Sequence, residues 1–217
     1  QLILHAERVS GNTKLQKDNA SYASLTGFYD RMKTYGIDYD IIGLSYYPYF
    51  HGALSELEGA LNSLKAKGYG KQVMVVETGY PAQYAVPGTQ YDYTATYPYT
   101  DDGQKAFTDA LVQLLNQHGE VRGLFWWFPE ANEHGLNWST QRVTDSWYNA
   151  SLFNNSTGRA TKAVASLKDF INNTTNIHST TSTTTSNDAW YTLSGIRLSQ
   201  PPTAKGVYIH KGHKIVR

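Results

Sequence analysis

Two apolar runs constrain this chain more than anything else in it: Ile41-Ile42-Gly43-Leu44 and Val73-Met74-Val75-Val76. A strand with one wet face alternates apolar and polar residues. A continuous apolar run of strand length, bounded by turn signals, is instead buried on both faces. Such strands belong to parallel sheets, whose crossovers cover both sides. The spacing predicts four strands, at Leu2–His5, Tyr39–Tyr46, Lys71–Thr78 and Val121–Phe128. Between and after them fall four stretches of helical periodicity. Lys17 to Tyr35 places Leu25, Phe28, Tyr29 and Met32 on one stripe and stops at Gly36, and Ala53 to Lys67 aligns Leu54, Leu57, Leu61 and Leu64 before Gly68. A third helix, capped by Thr100 or Asp101, carries Phe107, Leu111, Leu114 and Leu115. A fourth, Arg159 to Asn172, turns Val164, Leu167, Phe170 and Ile171 inward.

Alternating strands and helices give an α/β fold with a parallel sheet. An open doubly wound sheet satisfies the pattern, but the strand ends favour a barrel. Polar and aromatic residues gather at the C-terminal end of every strand: His5, then Ser45-Tyr46-Tyr47, then Glu77-Thr78-Gly79-Tyr80, then Trp126-Trp127. That rim is where a (β/α)8 barrel builds its active site. Four units are half of such a barrel, so residues 1–173 read as its last four βα units, with four more expected before Gln1. Residues 174–188 are almost all Thr, Ser and Asn and read as a linker. Residues 189–217 read as a short β-rich tail, with strand-like Trp190–Leu193, Val207–Ile209 and Lys214–Val216 and a Lys211-Gly212 turn; a role in sorting suits it.

Composition narrows the chemistry. The formal net charge is +1, too small for a nucleic-acid or anionic-membrane footprint. No apolar run approaches a membrane span, and no signal peptide is visible. Cysteine is absent, which excludes disulfides. The seven His show no metal-ligand spacing. The 17 Tyr and 5 Trp offer flat apolar faces with polar edges, a form suited to sugar rings and equally to ordinary core edges.

Glu77 is the candidate catalytic residue. It follows an apolar strand, where a carboxylate is costly unless it is bonded, paired or functional. A retaining glycosidase needs a second carboxyl about 5–5.5 Å away. Glu7, Glu130 and Glu133 lie in loops near the rim, while Asp38 and Asp40 lie at the opposite end of their strand. None is an obvious proton donor, and the acid/base is expected in the missing half. Candidate substrate-binding residues are His5, Ser45, Tyr46, Tyr47, Tyr80, Trp126 and Trp127. Strand alternation sends one of Trp126 and Trp127 inward and the other under the helices, and divides Tyr46 and Tyr47 in the same way. One of those tyrosines is placed to orient Glu77. His5 either donates to a substrate hydroxyl or is an ordinary satisfied polar residue.

Four segments occur in order: Ile3-Leu4-His5, Asp40-Ile41-Ile42-Gly43-Leu44-Ser45-Tyr46-Tyr47-Pro48, Val75-Val76-Glu77-Thr78-Gly79-Tyr80-Pro81 and Gly123-Leu124-Phe125-Trp126-Trp127. Together they resemble the second half of the family 53 glycoside hydrolases, the arabinogalactan endo-β-1,4-galactanases. The resemblance covers roughly Gln1 to Asn172. It implies a retaining (β/α)8 enzyme on β-1,4-galactan, the side chain of type I arabinogalactan in pectin, with Glu77 as nucleophile. It also implies an acid/base Glu in an Asn-Glu pair at the end of the fourth strand. Asn132-Glu133, in the loop after the last strand here, does not match that place, so this chain alone is expected not to turn over substrate. Where members often read Trp-Glu-Pro, this chain has Trp127-Phe128-Pro129-Glu130. Some members bind calcium through late loops. Glu130, Asn132 and His134 have a similar flavour but do not make up the 6–8 oxygen ligands calcium takes, so no metal or other cofactor is assigned.

The expected partner is a polysaccharide, with secretion or surface display to reach it. Two alternatives stand beside the galactanase: a related retaining barrel on another β-glycan, and a glycan-binding protein that has lost its acid. Endo against exo action and oligomeric state are not legible. A half barrel exposes two sheet edges, so the isolated chain is expected to aggregate or to take a partner.

Overall fold

The computed structural model describes residues 1–7, 9, 24–83, 85–135, 150–170, 189–192, 197–211 and 213–216. Two compact units divide it, Gln1–Thr174 and Thr175–Arg217.

In the first unit, four strands pair in parallel in the order β1-β2-β3-β4: Ile3–Ala6, Ile41–Tyr46, Gln72–Thr78 and Val121–Leu124. Helix α1 (Leu25–Thr34) precedes β2, and α3 (Leu54–Lys67) precedes β3. Helix α4 (Asp101–Asn116) precedes β4, and α5 (Ala163–Leu167) follows it. A one-turn helix, α2 (Pro48–His51), leaves β2 directly; Pro48 at its first position has the φ that a helix start needs. The expected stretch Lys17–Ala23 lies outside the described residues, as do Ile171, Asn172 and the Thr/Ser/Asn segment 174–188.

The helix ends follow their sequence signals. Ser24 Oγ accepts the Gly27 N–H at 2.9 Å, and Thr100 Oγ1 accepts the Gly103 N–H at 3.0 Å. Asp101 and Asp102 add negative charge to the first turn of α4, where the helix dipole favours it. Gly68 closes α3 at φ 62°, a left-handed position that glycine adopts freely.

The two faces of the sheet differ. Ile42, Leu44, Tyr46, Val73, Val75 and Val121 share a buried cluster with Leu57, Leu61, Leu64, Phe107, Leu111 and Leu115 of the helices. The opposite face brings Ile3 and Val76 onto Gly43, and Met74 and Phe125 onto Gly123. There Ile3 and Phe125 remain 41% and 53% exposed. Burial on both faces is thus realised in β2, all six residues of which are buried, while toward β1 and the end of β4 the second face stands partly open.

Two expected elements are shorter than their periodicity suggests. The fourth strand ends at Leu124 rather than Phe128, and Phe128 itself, at φ 46°, lies outside the extended region. The last helix begins at Ala163 rather than Arg159. Arg159 O accepts the Asn154 N–H and Ala160 bridges Phe153, so that backbone is already engaged in a turn. Val164, expected inward, is 39% exposed, while Leu167 and Phe170 pack against the core.

The second unit is an antiparallel sheet in the order β6-β5-β7-β8, with β5 Trp190–Thr192, β6 Arg197–Leu198, β7 Val207–His210 and β8 His213–Val216. Trp190 stacks on His210 with ring centroids 4.2 Å apart. Leu193 and Gly212 lie outside the described residues.

Candidate active site

Because β1 to β4 run parallel, their C-terminal ends share one edge of the sheet. Glu77 stands there, opposite Ser45 in the register, just beyond an irregularity between Leu44 and Ser45. That one-residue shift brings Ser45 and Glu77, rather than Ser45 and Val76, side by side. Glu77 is half-buried, and Tyr47 donates its phenolic hydrogen to Glu77 Oε2 at 3.2 Å. Burial pushes the Tyr47 hydroxyl well above the ordinary tyrosine range, and the Glu77 charge beside it adds to the shift. That shift favours the protonated, hydrogen-donating form of Tyr47. Its own backbone is pinned by His51, whose Nδ1 accepts the Tyr47 N–H at 3.1 Å.

His5 and Ser45 form a second polar pair at the same edge, with Nε2 and Oγ 2.7 Å apart. Ser45 is buried and His5 is exposed. Trp127 joins them from the loop after β4: its N–H donates to the Thr78 carbonyl at 2.8 Å, one residue from Glu77. Its ring is 37% exposed.

Three of the expected substrate-binding residues pack elsewhere. Tyr46 is fully buried on the helix side and donates to the Gly52 carbonyl at 3.0 Å. Tyr80 is 1% exposed, stacks on Phe107 at 4.6 Å, and donates to the Tyr97 carbonyl. Trp126 is 8% exposed and donates its indole N–H to the Ala150 carbonyl at 2.6 Å. The physical reason for Tyr46 and Trp126 is alternation: each neighbours a residue that faces the mouth, so it points under the helices. Tyr80 belongs instead to the aromatic base of the loop 79–100, with Tyr97 and Tyr99.

Residues without an obvious motif hold this edge together. Gln104, in the first turn of α4, is fully buried and donates through Nε2 to the carbonyls of Tyr80 and Ser151 at 2.7 and 2.8 Å. It ties the loop after β3 to the loop after β4. Asn155 repeats that tie further out, donating to Gln83 Oε1 and accepting the Glu133 N–H. A buried Gln beside a helix start is the one signal that foreshadows this role.

Glu130, Asn132 and His134 do not converge on a cation. Asn132 Nδ2 donates to the Glu130 carbonyl, Asn132 Oδ1 accepts the His134 N–H, and His134 Nδ1 meets the Ser156 carbonyl. The Asn132 and His134 side chains are engaged in holding their loop. Among the described residues, no three His, Asp or Glu gather closely enough to hold a metal. No helix among them is long and apolar enough to cross a membrane.

An acidic strand end beside a tyrosine donor, a His–Ser pair and an exposed indole is an arrangement suited to a sugar and a nucleophilic carboxylate. Known proteins resemble this chain in sequence and in fold. An uncharacterized protein from the bgaB 5′ region of Niallia circulans is 30% identical over 184 residues, covering 81% of this chain and 47% of that protein. Arabinogalactan endo-beta-1,4-galactanase A of Emericella nidulans is 38% identical over 111 residues, covering 47% of this chain and 31% of the enzyme. The GH53 catalytic domain of Ignisphaera aggregans superposes with a TM-score of 0.57 at 22% identity, over 77% of this chain and 46% of that domain. That likeness is one of fold, and it identifies the four parallel βα units as part of a (β/α)8 barrel. The chain spans less than half the length of each of these three proteins. Residues 14–170 match the family model described as glycosyl hydrolase family 53, and the chain belongs to that family.

Proposed function

We propose that this chain supplies the nucleophile half of a retaining endo-β-1,4-galactanase. Residues 1–173 would be the last four βα units of its barrel, 174–188 a linker, and 189–217 a tail that serves sorting. The observation that carries the reading is Glu77, at a strand's C-terminal end with the Tyr47 hydroxyl on one oxygen.

In this reading Glu77 attacks the anomeric carbon of a β-1,4-linked galactose, and the bond to the leaving oxygen breaks. A second carboxyl, carried by the part of the barrel that precedes this segment, protonates that oxygen. A galactosyl ester forms on Glu77. The second carboxylate then takes a proton from water, which attacks the same carbon and frees Glu77. Tyr47 steadies the carboxylate oxygen before attack. His5 and Ser45 offer hydrogen bonds to sugar hydroxyls, and Trp127 offers a face for a ring. The chain alone binds galactan without turning it over. The polymer is too large to enter a cell, which puts the enzyme outside it.

The test is Glu77→Gln in the protein carrying the complete barrel, assayed on potato galactan. Turnover should fall by more than about a thousandfold with folding retained. Activity within about tenfold of wild type removes Glu77 from the role.

A further inference from the structure

We infer that Phe128 is a specificity-determining residue that, with Trp127, forms a two-ring aromatic wall for a sugar of the bound polysaccharide. The inference rests on the glycan reading of the Glu77 cleft. Consecutive residues on an extended chain point to opposite faces. Trp127 and Phe128 do not: their ring centroids lie 4.8 Å apart at 55°. The cause is the Phe128 backbone, at φ 46°, in the left-handed region that bulky side chains avoid. Left-handed backbone at a non-glycine residue is strained, and persists where its surroundings over-determine it.

Those surroundings are visible. On one side the Trp127 N–H is bonded to the Thr78 carbonyl. On the other, the Phe128 carbonyl accepts the Ala131 N–H at 3.1 Å and the Pro129 carbonyl accepts the Leu152 N–H at 2.9 Å. A turn locked at both ends thus holds a phenyl ring beside an indole, with 36% of Phe128 and 37% of Trp127 left exposed. The strain does not bury the ring. It turns the ring to the side of Trp127, one hydrogen bond from the residue after Glu77. Two adjoining aromatic faces, on backbone bonded to the residue after a strand-end carboxylate, suit the apolar C–H face of a hexopyranose, held there by stacking and by exclusion of water.

Replacing Phe128 by asparagine separates the ring from the backbone, since Asn tolerates the left-handed conformation. Binding to potato β-1,4-galactan is read by affinity electrophoresis on the protein carrying the complete barrel, with Glu77→Gln in every form to stop turnover, and folding by Tm. Phe128→Asn should bind about three- to tenfold more weakly, the worth of one aromatic contact, with Tm equal to or above wild type. Phe128→Tyr should bind like wild type. Equal retardation of wild type and Phe128→Asn overturns the inference and leaves the Glu77 reading standing. So does a Phe128→Asn chain several degrees less stable, because the ring would then be holding the fold. A wild-type chain that galactan does not retard overturns both.

Discussion

The Tyr47 hydroxyl donates to Glu77 Oε2 at 3.2 Å. Its ring packs against Tyr49, Phe50 and His51, and its backbone is held by His51, so removing the hydroxyl leaves the scaffold in place. A hydrogen bond to a charged group contributes about 1.5–3 kcal/mol. Tyr47→Phe in the complete enzyme should therefore lower kcat roughly 10- to 100-fold while KM and Tm stay near wild type. A variant with unchanged kcat would show that Tyr47 does not position the carboxylate. The place of Glu77 at a strand's C-terminal end is legible in sequence, because an acid closing an apolar strand is conspicuous. Tyr46 and Trp126 were not separable from Tyr47 and Trp127, since alternation sets opposite directions without saying which residue faces the mouth. The irregularity at Leu44/Ser45 and the left-handed Phe128, which decide the local aim, leave no periodic signal.

At the scale of elements, two effects of opposite sign meet at Gly103 in the first turn of α4. Helix propensity alone would make alanine better there by about 1 kcal/mol. A Cβ on Gly103, however, would lie 1.8 Å from the Pro98 carbonyl oxygen, which also accepts the Thr100 N–H at 2.7 Å. That is backbone, held by the same turn that presents the Thr100 cap, and it has nowhere to move cheaply. Overpacking wins, and Gly103→Ala should cost about 2–3 kcal/mol, a fall in Tm of several degrees on a thermal melt. An unchanged melt would refute the close approach. Helices α3 and α4 declare themselves through Leu57, Leu61 and Leu64 and through Phe107 and Leu111, and Gly68 after α3 and Thr100 before α4 are ordinary cap residues. The start of α5 was misread at Arg159, because apolar spacing cannot register that Arg159 and Ala160 are already bonded to Asn154 and Phe153. The two-residue β6 is too short to carry a pattern of its own.

Across the whole molecule, tyrosine replaces much of what leucine and phenylalanine do in other cores, and this ties stability to alkaline pH. Tyr29, Tyr46, Tyr47 and Tyr49 are among the buried residues of the first unit. Their hydroxyls keep a proton inside the protein: Tyr29 donates to the Leu4 carbonyl, Tyr46 to Gly52, and Tyr47 to Glu77. Burial raises all four hydroxyls far above the ordinary value of 10.0, since a phenolate there would lose its hydration. A group whose folded pKa exceeds its unfolded pKa binds its proton more tightly in the fold. Its contribution is fully present below the unfolded value and is lost as pH rises from there toward the folded value. Unfolding then releases several phenolic protons together, so stability should be flat in this respect up to about pH 10 and fall steeply above it. The last part of the phenolate absorbance, that of the buried tyrosines, should rise in step with loss of far-ultraviolet helical signal, rather than before it. Tyr29→Phe lacks one of these protons and should show a shallower alkaline decline, whatever it loses at neutral pH through the Leu4 bond. Gradual phenolate absorbance accounting for every tyrosine while the helices persist would mean that these hydroxyls are open to water, and the packing of the helix side of the sheet would have to be redrawn.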